Sequence, residues 1–178
     1  MNVLVTGGVR SGKSAHAERL LAAEPTVTYV AAGPTYDDDD WHERIARHRA
    51  VRPVHWQTVE STAIADVLTE TTGAVLVECL GTWVTAIVDE ADLWEAPSNV
   101  VTAHVEELLG PVLAALTMAS TAGSPVVLVT NEVGLGIVPD HRSGRLFRDL
   151  LGMVNQRVGA AVDEVHLVIA GRVLVLPS

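Results

Sequence analysis

The chain has 178 residues, 48% of them hydrophobic, which supports one domain with a sizeable core and argues against disorder. Its formal net charge of −10 disfavours a general nucleic-acid binder, which needs a basic surface. A lone cysteine, Cys79, rules out an internal disulfide and points to a reducing compartment. No uncharged apolar run approaches the roughly 18 residues of a membrane helix, and the sequence opens on a strand pattern rather than a signal peptide. A cytoplasmic protein with no membrane insertion is the expectation.

In chain order, residues 2–6 form an apolar run fit for a buried strand, and residues 13–24 read as a helix. Between them stands Gly7-Gly8-Val9-Arg10-Ser11-Gly12-Lys13-Ser14, the phosphate-loop pattern G-x-x-x-x-G-K-[ST]. A strand, a glycine turn and a helix N-terminus make an anion site, because backbone N–H groups point at the phosphates and the helix dipole favours negative charge. In that setting Lys13 reaches the β- and γ-phosphates of a nucleoside triphosphate and the Ser14 hydroxyl binds Mg²⁺.

A second strand is predicted over 27–32, broken by Gly33-Pro34. The run Asp37 to Asp40 follows, either a metal-binding loop or a solvated segment. A helix over about 41–51 carries Arg44, Arg47, His48 and Arg49, with Arg52-Pro53 stopping it. This cationic island in an acidic chain is either a phosphate clamp or a solvated face paired with the aspartates. His48 falls on the apolar side of the helix, so it is either a buried histidine or a nucleophile. A neutral imidazole nitrogen can attack an α-phosphorus and split nucleotidyl transfer into two steps. With Gly33-Pro34 and the aspartates as a hinge, this helix is expected to be mobile until nucleotide binds.

A short strand over 55–59 comes next, then a helix capped by Ser61 and running to about 71, then a buried strand over 74–77 ending at Glu78. A strand-end acid here holds Mg²⁺ or the attacking hydroxyl in phosphate-loop proteins; otherwise it faces solvent or caps the next helix. Cys79 reads as a small core residue. Helices are predicted over about 82–91 and 99–122, a strand over 125–130 ending at Asn131-Glu132, a glycine-containing loop to Pro139 and a helix over about 143–162. Residues 164–170 and 172–176 read as a terminal strand pair turning at Gly171. His16, His42, His104, His141 and His166 show no metal-ligand spacing and receive no role. Alternating strands and helices predict an α/β fold with a mostly parallel sheet, the ligand lying beyond the strands' carboxyl ends where Thr6, Glu78 and Asn131-Glu132 converge.

Several strings together resemble one family. They are the phosphate loop, Arg44-Ile45-Ala46-Arg47-His48-Arg49, Arg52-Pro53-Val54-His55-Trp56, Val77-Glu78-Cys79-Leu80, the run from Val129 through Asn131-Glu132-Val133-Gly134 to Pro139, Phe147-Arg148-Asp149 and Asn155-Gln156-Arg157. That family is the bifunctional adenosylcobinamide kinase / adenosylcobinamide-phosphate guanylyltransferase of cobalamin biosynthesis. The resemblance implies phosphorylation of adenosylcobinamide by GTP or ATP, then transfer of GMP from GTP to adenosylcobinamide phosphate, giving adenosylcobinamide-GDP and pyrophosphate. It implies a guanylylated histidine at His48. It also implies nucleotide contacts at Gly7 to Ser14, at Ala32, Gly33 and Pro34, at Arg52, Pro53, Val54 and His55, and at Glu60 and Glu78. A RecA-like P-loop NTPase sheet assembled as a homotrimer is implied as well. Some relatives have His-His where this chain has Arg47-His48, and some have threonine in place of Gly81. The alternatives are a guanylyltransferase alone, a P-loop kinase of another small alcohol, or a nucleotide-binding switch.

Overall fold

The computed structural model describes residues 1–33, Pro53 and residues 55–177, the side chain of Pro177 excepted. The helix expected over 41–51, its hinge, and Pro34, His48, Arg52 and Val54 lie outside the described residues.

Among the described residues seven strands form one sheet: β1 (Asn2–Gly7), β2 (Val27–Ala31), β3 (Gln57–Glu60), β4 (Ala74–Glu78), β5 (Val126–Val129), β6 (Glu164–Ile169) and β7 (Arg172–Pro177). Their spatial order is β3-β2-β4-β5-β1-β6-β7. Every neighbouring pair is parallel except β6 with β7, which run antiparallel. The described helices are α1 (Lys13–Leu20), α2 (Ile64–Glu70), α3 (Leu80–Glu90), α4 (Ser98–Ala122) and α5 (Arg142–Gly159).

Strand side chains alternate between two apolar layers, because successive residues of a strand point to opposite faces. Leu4, Val30, Val75, Val77, Val126 and Leu128 pack with buried residues of α2 to α5. Val3, Val5, Tyr29, Leu76, Val127 and Val129 pack with Ala17 and Leu21 at α1. Burial on both faces explains why these strands read as continuous apolar runs rather than alternating ones. α4 is long and apolar enough by length and composition to cross a bilayer, unlike the expectation from uncharged runs. Its Val101, Val105, Leu109, Val112 and Leu116 stripe is buried in the core.

Element ends differ from the sequence reading for local reasons. The helix expected to reach residue 24 ends at Leu20, where tighter turns take over (Leu21 N–H to Glu18 O, 3.2 Å) ahead of Pro25, which biases Glu24 away from helix. α3 starts at Leu80 rather than 82 because Cys79 caps it: its Sγ accepts from Thr82 N–H at 3.4 Å while Cys79 N–H donates to Thr82 Oγ1 at 3.3 Å. Ser61 accepts from Ala63 N–H at 3.1 Å, one turn ahead of α2, so it shapes the entry without being the cap. α5 stops at Gly159 instead of 162. The terminal hairpin turns through Ala170 and Gly171, both at positive φ (51° and 76°), as a type I′ two-residue turn requires.

Candidate active site

The phosphate loop leaves β1 and enters α1 at the carboxyl rim of the sheet. Gly7 has a φ of 154°, and a Cβ placed there would stand 2.3 Å from the Val168 carbonyl oxygen, so no larger residue fits. Gly12, the N-cap of α1, has a φ of 96°, and Arg10 a φ of 55°. α1 has no side-chain cap and no acid in its first turn. Its N-terminal N–H groups and dipole are therefore left to a ligand, which is what an anion site requires. Lys13 is 9% exposed and folds over the loop, its Nζ 3.2 Å from the Gly8 carbonyl. An ammonium held this way is partly desolvated, and bound phosphate oxygens strengthen its pairing.

β4 ends at Glu78, which faces the loop rather than solvent. Ser14 Oγ donates to Glu78 Oε1, and the buried Tyr29 hydroxyl donates to Oε2 at 3.1 Å. The next helix is capped by Cys79, so Glu78 is free of that role. A hydroxyl and a carboxylate oxygen side by side are hard donors of the kind Mg²⁺ takes. Among the described residues no group of three His, Cys, Asp or Glu side chains could hold a metal by itself. Two buried hydroxyls of the same turn, Thr6 Oγ1 and Ser11 Oγ, have no hydrogen-bond partner among the described residues, which leaves donors available beside the phosphate position.

β5 completes the rim. Thr130 N–H donates to Val5 O at 2.9 Å, and Glu132 N–H to Gly7 O at 3.2 Å, so the strand-end polar residues do converge on the loop. Thr130 Oγ1 donates to Asn155 Oδ1 at 2.6 Å, and Asn155 Nδ2 to Asn131 O at 3.0 Å, tying this corner to α5. Downstream, Arg148 donates to the carbonyls of Gly134 (2.8 Å) and Gly136 (3.2 Å), and Arg145 to those of Pro139 (3.1 Å) and Asp140 (2.7 Å). The glycine loop is thus held in place by arginines of α5 while Leu135 and Ile137 stay exposed.

The other predicted contacts divide. Ala32 and Gly33 follow β2 at the same carboxyl rim, with Ala32 N–H bonded to Glu78 O at 3.3 Å and Gly33 packed against Thr82. Glu60 ends β3 and lies in register with Ala31, itself in register with Glu78. Pro53 and His55 precede β3 at its amino end, the opposite rim from the phosphate loop. β3 is also four strands from β1, roughly 19 Å at 4.8 Å per strand. The described structure therefore does not bring Pro53 and His55 to the loop.

Sequence reading missed Tyr29 and the pair His16 and His166, and gave Asn155 a place in a resembling string but no contact. Tyr29 sits inside a strand-like run, and the others are distant in sequence from what they touch. Burial pushes the His16 imidazole below the ordinary histidine range, with His166 and Arg19 adding charge repulsion in the same direction.

Comparison with known proteins shows the family. Residues 3–176 match the family model described as cobinamide kinase / cobinamide phosphate guanyltransferase. The chain is 43% identical to the bifunctional adenosylcobalamin biosynthesis protein CobU of Salmonella typhimurium, over 96% of this chain and 97% of that one. It is 40% identical to the protein of the same name from Escherichia coli K12, with the same coverage. Identity to the bifunctional protein CobP of Pseudomonas aeruginosa is 35%, covering 96% and 94%. Among solved structures, an ATPase from the type III secretion system of pathogenic bacteria superposes with a TM-score of 0.55 at 12% identity over 93% of this chain. This chain spans about half (50%) of that structure, and the likeness is one of P-loop fold.

Proposed function

Because the chain belongs to the cobinamide kinase / cobinamide phosphate guanyltransferase family, we propose that its one phosphate loop serves two successive reactions. The first moves the γ-phosphoryl group of GTP or ATP onto the aminopropanol hydroxyl of adenosylcobinamide. The second moves GMP from GTP onto the resulting phosphate and releases pyrophosphate. The observation that carries this reading is the match along residues 3–176 to a family named for both activities.

The residues divide the work. Lys13, the loop amides and the α1 N-terminus hold charge that spreads over the phosphates, the main source of acceleration in phosphoryl transfer. Ser14 and Glu78 are the residues that would hold Mg²⁺, which neutralises phosphate charge when bound. Tyr29 fixes the Glu78 carboxylate through Oε2, leaving Oε1 directed at Ser14. In the second reaction His48 is assigned as nucleophile. Its neutral nitrogen forms a bond to the α-phosphorus as the bond to pyrophosphate breaks; a phosphate oxygen of the acceptor then takes the guanylate and frees the ring. Ala32, Gly33, Pro34, Glu60, and Arg52 through His55 are read as further nucleotide contacts. Among these, Pro53 and His55 stand on the far rim in the described structure.

We read the whole chain as one transferase domain acting in the cytoplasm as a homotrimer. The test is direct: purified protein with γ-labelled GTP and adenosylcobinamide yields labelled adenosylcobinamide phosphate, and α-labelled GTP then yields labelled adenosylcobinamide-GDP. Transfer of the α label without the γ label would restrict the chain to guanylyl transfer. Transfer of the γ label alone would make it a kinase.

A further inference from the structure

His16 and His166 stand 150 residues apart in sequence, and the fold joins them. His16 lies on α1 two residues beyond Ser14, its Nε2 2.8 Å from Nδ1 of His166 on β6. The other nitrogen of His166, Nε2, is 2.8 Å from Glu164 Oε2, and His166 is 4% exposed. A carboxylate only accepts, so Nε2 of His166 carries the hydrogen. In the neutral ring Nδ1 is then the acceptor, and His16 Nε2–H donates to it. The result is a directed chain from Glu164 through His166 to α1.

The same hairpin touches the phosphate loop twice more. The Val168 carbonyl closes on Gly7, and Gly171 N–H donates to Ser11 O at 2.8 Å, with Gly12 packed on Gly171. Glu164, His166 and Val168 alternate along one face of β6, and His166 and Val168 are in register with Val5 and Gly7 of β1. β6 and β4 flank the β5-β1 pair, so α1 is tied on one side through Ser14 to Glu78 and on the other through His16 to His166.

We propose that Glu164 and His166 are positioning residues which, through His16, set α1 and so place Lys13 and Ser14 for phosphoryl transfer. This rests on the reading of the phosphate loop as the site of both reactions. α1 has eight residues and no side-chain cap, so its own ends do little to fix it. Ser14 and Glu78, the residues that would hold Mg²⁺, make the hydrogen bond that ties one flank, and would give it up if they turned to an ion. The histidine chain is untouched by that exchange and keeps the other flank in register.

Two variants separate the contacts. His166→Asn keeps an acceptor where Nδ1 stands and loses Glu164; His166→Gln puts its amide where Nε2 stands and loses His16. With Mg·GTP and adenosylcobinamide, His166→Gln is expected to lower kcat about 10- to 100-fold with KM for GTP within about threefold, since misplacement by about 1 Å costs on the order of 10²-fold. His166→Asn, which loses only the Glu164 contact, lowers kcat several-fold, as Glu164→Ala does and less than His166→Gln. The ³¹P resonances of bound Mg·GDP move most in His166→Gln and less in His166→Asn; this needs no turnover, so it separates failure of this inference from failure of the two-reaction reading. Glu164→Ala, at a half-exposed position the fold tolerates, lowers kcat several-fold and Glu164→Gln restores it. The inference is overturned if His166→Gln and Glu164→Ala keep the parent's kcat and ³¹P shifts. It is equally overturned if the variants lose activity only in step with their melting temperatures.

Discussion

At the scale of single residues, the proposed chemistry of the loop rests on Lys13, Ser14, Glu78 and Tyr29. Removing one preorganised charge donor from a phosphoryl-transfer site typically costs on the order of 10²- to 10³-fold in rate. Lys13→Ala is therefore expected to slow both transfers by about that factor while the protein stays folded, as measured by kcat for each labelled product beside a melting curve. Glu78→Gln keeps an acceptor for Tyr29 but removes the anionic oxygen facing Ser14. It should raise the Mg²⁺ concentration for half-maximal activity several-fold, read from a Mg²⁺ titration at saturating GTP. Tyr29→Phe loses one hydrogen bond to a charged group, worth about 1.5–3 kcal/mol of stability in a denaturant melt, because Glu78 Oε2 is then left without its donor.

At the scale of elements, two joints hold the site. The first is the approach of β6 to the phosphate loop. Gly7→Ala would put a methyl group 2.3 Å from the Val168 carbonyl, a contact that only backbone movement relieves. Nucleotide binding should be lost even where folding survives, as measured by GTP titration calorimetry. The second is the start of α3, where Cys79 serves as cap. Cys79→Ala removes the acceptor for Thr82 N–H and is expected to cost about 1 kcal/mol, whereas Cys79→Ser keeps it; the two melting curves decide. These joints also mark the limit of what the linear sequence discloses. The strand–loop–helix of residues 2–20, the strand-end Glu78 and the terminal hairpin are local patterns, each read within about twenty residues, and each is present. The hairpin's work was not legible, because it depends on β6 lying beside β1, a pairing across some 160 residues that only the sheet order reveals. His16 and His166 show no ligand spacing for the same reason, and the sulfur cap at Cys79 escapes notice because cysteine is seldom an N-cap.

At the scale of the whole molecule, the sheet explains why one site could serve two chemistries. All the polar strand ends of β1, β4 and β5 meet at the carboxyl rim, and the apolar layers on both faces make that rim a fixed platform. Core substitutions should then lower stability without changing the balance between reactions. Leu128→Ala, fully buried in β5, is expected to cost about 2–5 kcal/mol while the ratio of kinase to guanylyl-transfer rates, measured on the folded protein, stays constant. The resemblance carried the identity of the reactions further than the residues alone could. Nothing in the phosphate loop distinguishes GTP from ATP or names a corrinoid, and both are read from long strings such as Asn131 to Pro139. The geometry adds what those strings lack: β3 sets its amino end, with Pro53 and His55, on the rim opposite the loop. The most direct test is the intact mass of the protein after incubation with Mg·GTP and no acceptor. The account predicts a gain of one guanylate on the parent chain, a slowed gain on Lys13→Ala and none on His48→Ala; a parent chain that gains nothing, or a guanylate that persists on His48→Ala, would contradict it.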